Sequence, residues 1–578
     1  MTTTQNRLRL WPGVLIVTLA WVVRFGMPVV APDTLPYAVG GGLLGGVAVL
    51  VWWAFFSGAQ RVERWGGLVL IVVALVASSK LLHASIAGGM MGLMFWIYSI
   101  PVAGLAIVVW AVASRGLSGG IRRATMLMTV LLASGGWTLL RTNGMTGGAV
   151  SDFTWRWAPT AEDRMLARTK EPAAVVVEKT AEAPKVVAPV MAKPMVRWAG
   201  FRGPNRDSVL RGVRIETDWA KRPPVEIWRQ PVGPGWSSFA VEGDRFYTQE
   251  QRGAEEVVSC YLVSTGKLVW RHGDAARFWE SNAGAGPRAT PTLHNGRVYT
   301  FGATGILNAL DGRDGTVKWT RNAGVDGGIK VPGWGFASSP LVVGDLVVIA
   351  AEGKLVGYDL ATGVPRWFGP EGGSGYSSPH LATIAGVQQI VLLSGPGATS
   401  VTVEEGARLW EHALPAGARI AQPGLTAEGD LLLSEGEGRP LHRVVIARGE
   451  GGWTTEERWN SNGLKPYFND FVVHKGHAYG FDGSILACID LKDGQRKWKG
   501  GRYGHGQLIL LAEQDLLLVL TEEGELALVL AVADGFTEKG RIHAIEGKTW
   551  NHPVLAGDVL LVRNGEEMAA FRLAMPKR

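Results

Sequence analysis

Cysteine is nearly missing from this chain: 578 residues contain two, Cys260 and Cys488, which rules out a disulfide scaffold. Charge is sparse as well, with Asp, Glu, Lys and Arg making up 19% of the sequence. There is no H-x-H, HExxH or EF-hand pattern, so no metal site is predicted from spacing. There is also no nucleic-acid module and no arginine stripe with interleaved aromatics. The basic residues behind the net charge of +7 are dispersed, which excludes nucleic acid as a partner.

What the chain does have is apolar residues. A hydrophobic content of 47% and a mean hydropathy of +0.11 are too high for an ordinary soluble enzyme of this size. The excess lies in five stretches, near Leu10–Val30, Pro36–Gly58, Trp65–Gly88, Gly89–Ser114 and Ala124–Leu140, each about the ~20 residues that a bilayer-crossing helix needs. A signal peptide would stop after one such run. Arg7, Arg9, Arg61, Arg64, Arg115, Arg122 and Arg123 all fall on one side of these spans, whereas the connections at Ala31–Pro36 and Gly88–Gly89 carry no Lys or Arg. The positive-inside rule therefore predicts a cytoplasmic amino terminus, a multi-pass bacterial inner-membrane domain and a carboxy-terminal region in the periplasm. Arg24, Lys80 and His83 fall near the outer ends of their helices, where long side chains can snorkel.

Three domains follow: residues 1–145 in the membrane, a juxtamembrane segment and linker at 146–195, and a repeat domain at 196–578. From about Thr169 the linker mixes Pro, Ala, Val, Glu and Lys without a period, as an extended tether does. The WRW at Trp155–Trp157 suits an interfacial anchor or a structural corner.

The repeat domain carries strand-opening markers at Asp244, Gly296, Asp345, Val387, Asp430, Gly476, Asp515 and Asp558, in steps of 39 to 52 residues. Short β-type runs with Gly and Asp turns at this period predict an eight-bladed β-propeller of four-stranded blades. In the third unit the strands are expected near Ser339–Val343, Leu346–Ala351 and Leu355–Asp359, with an outer strand ending at Trp367. The last unit runs out of chain after three strands, so the segment near 224–230, with Trp228, is expected to close it and remove the open edges. Trp270, Trp319, Trp367, Trp410, Trp459 and Trp498 each follow an outer turn and are predicted, with Trp228, to pack between blades. The seventh unit has Phe536 and Ile542 in place of its tryptophan.

The phrases YLVSTGKLVW, ALDGRDGTVKW, YDLATGVPRW and CIDLKDGQRKW resemble the tryptophan-docking repeat of the pyrroloquinoline quinone (PQQ)-like, quinoprotein-type propellers. Five helices ahead of such a propeller resemble membrane-bound quinoprotein glucose dehydrogenases, which implies PQQ with calcium, quinone-linked oxidation of sugars or alcohols, and Asp470 as candidate base. A compact ring of about 380 residues resembles the BamB assembly propeller, which implies partner binding without a cofactor. The vicinal cysteine pair of quinoprotein alcohol dehydrogenases is absent. Cys260 and Cys488 occupy equivalent third-strand positions and are expected to be buried small hydrophobes.

The loops leading into the innermost strands bring Trp236, Arg288, Trp334, Tyr376, Arg419, Asn469, Asp470, His505, Asn551 and His552 toward one mouth, with Lys330, Arg502 and Lys548 nearby. Such a mouth suits a polar or anionic ligand or a protein segment. His505 and His552 with Asp470 have zinc or iron donor chemistry, and Asn469 with Asp470 has calcium chemistry. No ligand spacing supports either, and no metal is predicted. The reading is a membrane-anchored binding or assembly platform without a redox cofactor, the alternative being a PQQ-dependent dehydrogenase.

Overall fold

The computed structural model describes residues 9–31, 34–168 and 197–576; the tether expected from Thr169 and the arginine at position 7 lie outside them. The chain forms two compact units, one of residues 1–158 with Glu280–Gly284 and one of Pro159–Trp279 with Ala285–Arg578.

The first unit is helical. Among the described residues, four spans are long and apolar enough to cross a membrane: Trp11–Val30, Tyr37–Phe56, Arg61–Ser79 and Met94–Gly116. The fifth expected stretch forms a 17-residue helix, Gly119–Gly135, after which the chain turns into a strand at Leu140–Met145 paired with Ser151–Trp155. A core of Trp52, Trp53, Phe95, Ile107 and Trp110 holds the helices together. Buried Glu63 pairs with Arg122 at 3.3 Å and ties the third span to this helix. Arg24 sits in a π-helical turn, buried against the rings of Phe25 and Tyr98, each 5.0 Å from its guanidinium. Lys80 caps the end of the third span, His83 caps the short helix Ala84–Gly88, and the Trp155 and Trp157 rings stack at 5.2 Å.

The second unit is the expected propeller. Eight sheets each contribute four antiparallel strands, in chain order from the centre outward in the first seven, and the sheets of blades 1 and 7 each carry a fifth short strand at the inner edge. Every predicted marker stands at or beside the start of a second strand: Arg245, Arg297, Leu346, Val387, Leu431, His477, Leu516 and Val559 open these strands. The second and third strands are nearly all buried, because they are sandwiched between neighbouring blades. Val225–Pro231 closes the ring as the outer strand of blade 8, with Trp228 opposite Ala570. The unit also includes the helix Ala161–Arg168, whose Glu162 accepts from Gly253 N at 2.8 Å and pairs with Arg277 at 2.7 Å.

The repeated phrase has a physical basis in this ring. Each docking indole donates to a carbonyl in the outer turn of the next blade: Trp228 to Val263 (2.8 Å), Trp270 to Gly312 (3.1 Å), Trp319 to Leu360 (3.2 Å), Trp367 to Val403 (3.1 Å), Trp459 to Leu491 (3.0 Å) and Trp498 to Val532 (2.7 Å). Trp410 differs and donates to Gln389 Oε1 of its own blade at 2.6 Å. The next blade has long outer strands, Leu441–Gly449 and Gly452–Ser461, joined by a tight turn, and so presents no docking turn to Trp410. Blade 7 ends in Glu538–His543 without a tryptophan. There Trp219, from ahead of the closing strand, packs beside Gly540 and joins the core with Ile542, while Phe536 packs on Trp498 with ring centres 5.8 Å apart.

Candidate functional site

On the face that carries the loops leading into the innermost strands, here the upper face, aromatic side chains from four blades meet. Trp236 lies 4.8 Å from Trp550, and Trp550 lies 4.8 Å from Phe468. Phe468 stacks on His505 at 5.5 Å. The ammonium of Lys548 sits over both indoles, 4.4 Å from Trp550 and 5.2 Å from Trp236. Glu522 fixes the cluster from beneath, accepting from Trp550 Nε1 at 2.7 Å and from His505 N at 3.1 Å. All four rings are half-buried. Trp334 and Tyr376 form a second pair at 5.0 Å. Arg288 stands by them over Phe278, donating to Gly286 O at 2.6 Å and Trp334 O at 3.3 Å. Arg502 donates to Ser484 Oγ at 2.7 Å, and Lys330 is exposed. Trp550 and Phe468 are not among the residues singled out from the sequence, although each stands next to one that is, Asn551 and Asn469.

The remaining predicted residues lie deeper, in the wall of the central channel. Arg419 is buried and donates to the carbonyls of Pro415 and Glu435. Asn551 donates to Ser237 O at 2.7 Å, and Asn469 accepts from Tyr467 N at 3.3 Å. Asn469 serves its own loop, Arg419 ties its loop to Glu435 at the end of the second strand, and Asn551 ties the loop of blade 8 to that of blade 1. Asp470 accepts from Gln422 N at 2.6 Å, and burial pushes its carboxyl above the usual range against the pull of Arg202, 3.5 Å away.

Arg202 belongs to a feature the repeat reading missed. Trp198 pairs with Val241 of the innermost strand of blade 1, and Val209 pairs in parallel with Leu510 of blade 7. Between them, GFRGPNRDS turns back inside the channel, with positive φ at Arg202, Gly203, Arg206 and Ser208. Arg202 donates to Phe471 O and Ser208 Oγ, both at 2.8 Å, and Arg206 donates to Pro340 O at 2.9 Å and Ser339 O at 3.0 Å. Ser208 Oγ meets His552 Nε2 at 2.8 Å, and His552 Nδ1 meets Pro553 O at 2.7 Å. Carbonyls exposed by the short innermost strands thus find donors in a plug from the same chain. Burial beside Arg202 holds His552 down at about 3, so it is neutral in this network. The available signal was a cluster of Gly, Pro, Asn and Asp carrying two arginines just before the first blade.

Asp470 does not fit the role of a quinoprotein base, since its carboxylate is engaged by Gln422 and Arg202 and only 6% of the residue is exposed. Cys260 and Cys488 are buried in separate blades, and burial pushes both thiols up to about 12, which makes them inert packing residues.

Eight four-stranded blades, an outer-turn carbonyl for almost every docking tryptophan and a closing strand from the start of the domain define a PQQ-like, BamB-like β-propeller, here preceded by candidate membrane spans. Residues 225–374 and 334–500 match the family model described as outer membrane protein assembly factor BamB. BamB of Yersinia pestis is 23% identical over 327 residues, which cover 53% of this chain and 70% of that protein. BamB of Shewanella oneidensis is 24% identical over 322 residues, 52% of this chain and 75% of that protein. Among solved structures, the quinohemoprotein alcohol dehydrogenase of Comamonas testosteroni aligns with a TM-score of 0.49 at 12% identity, over 66% of this chain and 81% of that one.

Proposed function

We propose that this protein is a membrane-anchored docking platform that holds a protein segment against the upper face of its propeller, without a redox cofactor. The observation that carries this reading is the half-buried aromatic rim Trp236–Trp550–Phe468–His505, built from loops of separate blades around Lys548. Rigid aromatic faces beside a cation give large contact area at little conformational cost, which is the usual make-up of interface anchors. The matched relatives are named as assembly factors, in keeping with such a role, and the engaged carboxylate of Asp470 supports it over the dehydrogenase. The placement of arginines on one side of the spans supports an inner-membrane anchor with a periplasmic propeller.

The test is site-specific photo-crosslinking in cells from position 550, with the outer-strand position 317 as control. A discrete crosslinked protein at 550 that disappears in Phe468→Ala supports docking at the rim. An identical crosslink pattern from the two positions refutes it.

A further inference from the structure

The plug fills only part of the channel. On the lower face it leaves a cleft of about 860 Å³ between Arg202, Asn205 and Asp207 of the plug and the inner strands and turns of blades 4 to 6. The volume is that of a metabolite-binding pocket.

Two buried groups in its lining have unused hydrogen-bonding capacity. His380 is 7% exposed and its Nδ1 has no partner among the described residues. Arg202 spends Nε and Nη2 on Ser208, Asp207 and Phe471, while its Nη1 makes no hydrogen bond to the described residues. The charge balance around them is uneven. Asp470 answers Arg202, but Arg206, next to the lining residues Asn205 and Asp207 without lining the cleft itself, is 8% exposed, is bonded to carbonyls alone, and its Nε has no partner among the described residues. At the rim, Lys492 is exposed and in no ion pair among the described residues. Of the other rim charges, Asp207 pairs with Arg211, Glu428 with Arg443, Arg458 with Asp430 and Lys475 with Asp515, while Asp490 is in no ion pair among the described residues and its Oδ1 accepts from Lys492 N at 2.9 Å. A buried guanidinium without a counter-charge is costly, and an anion in the cleft would lower that cost.

We infer that this lower cleft is a binding site for a small carboxylate- or phosphate-bearing molecule, whose acidic group is held by Arg202 Nη1 and His380 at the floor, with Lys492 attracting it at the rim. The site is separate from the docking rim and faces the opposite mouth. Burial and the charges of Arg202 and Arg206 hold His380 down at about 3. It therefore meets the ligand as a neutral imidazole and contributes one directed hydrogen bond, while the arginines supply the charge.

The test is isothermal titration calorimetry on the full chain in detergent micelles, with citrate and pyrophosphate as separate probes. The expected result is saturable binding of at least one probe, the preferred one identifying the acidic group. His380→Leu, which keeps the volume, should weaken it about tenfold, the equivalent of one lost hydrogen bond to a charged group. Lys492→Glu, at an exposed position, should weaken it severalfold with an unchanged melting temperature. Should His380→Leu unfold, Lys492→Glu decides alone. Neither probe binding wild type, or binding that is identical in wild type and the variants, overturns the inference.

Discussion

Gly363 lies directly against the indole of Trp319: a Cβ on Gly363 would stand 2.5 Å from Trp319 Cδ2. The same relationship joins Gly315 to Trp270 at 2.6 Å and Gly406 to Trp367 at 2.4 Å. The glycine and the tryptophan of the repeated phrase are thus the two halves of one device repeated around the ring. The tryptophan of one blade lies over the turn glycine of the next, at a positive φ that suits glycine.

Gly363→Ala meets both objections, a φ of +72° and a rigid ring in the way. It should cost about 2–4 kcal/mol, the sum of strain and overpacking. Trp319→Ala removes the other half and should cost about 3–5 kcal/mol. Thermal melting of the purified protein in detergent should show both as clear drops. Because the two positions share one contact, the double variant should lose less than the sum; an additive double variant would refute the contact.

Trp410 tests the exception. Its Nε1 and Ser400 Oγ both donate to Gln389 Oε1, at 2.6 Å each, and all three residues are buried. Gln389→Leu keeps the bulk but leaves two donors unpaired, and should cost about 2–4 kcal/mol, with desolvation of each donor contributing about 1–3. Gln389→Glu restores an acceptor and should melt above Gln389→Leu. The reverse order would show that shape, not the acceptor, matters there.

Acid should loosen the plug. His380 and His552 are both held at about 3 by burial and by Arg202, with Arg206 also acting on His380, so each folded pKa lies below its ordinary 6.5. A base depressed in the folded state contributes stability that is complete above pH 6.5 and is lost as pH falls toward 3. At pH 5 the loss is about 2 kcal/mol per imidazole. Asp470, raised by burial, works in the opposite sense. Proteolysis of the segment at 198–210 should accelerate between pH 6.5 and 5, and in His380→Leu the slope should fall by about one proton. An unchanged slope would remove His380 from the acid response.

The blades were legible because a strand alternates faces and a turn needs particular residues, so both leave a period in the sequence. The Trp–Gly phrase was legible for the same reason. The plug was not, because GFRGPNRDS occurs once and acts through side-chain bonds to carbonyls far along the chain, such as Arg206 with Pro340 and Arg202 with Phe471. Depth within a loop was equally hidden. YFND places Phe468 on the rim and Asp470 in the channel wall two residues later, a difference set by how the loop turns over its blade. Trp219 left no signal either, since it replaces the missing tryptophan of blade 7 from outside the repeat.

The pair at the heart of the plug can be dissected. Arg202 and Asp470 are both buried, 3.5 Å apart, and removing one partner of such a pair strands the other charge at about 3–5 kcal/mol. Arg202→Met should therefore lower the melting temperature sharply. Asp470→Leu should do so too, because Gln422 N also loses its acceptor. The double variant Arg202→Met, Asp470→Leu strands no charge and should be more stable than Arg202→Met alone, although Phe471 O and Ser208 stay without their donor. This rescue is the signature of a charge pair; a double variant that melts below both singles would mean that Arg202 acts through its carbonyl and hydroxyl bonds and that Asp470 is independent of it.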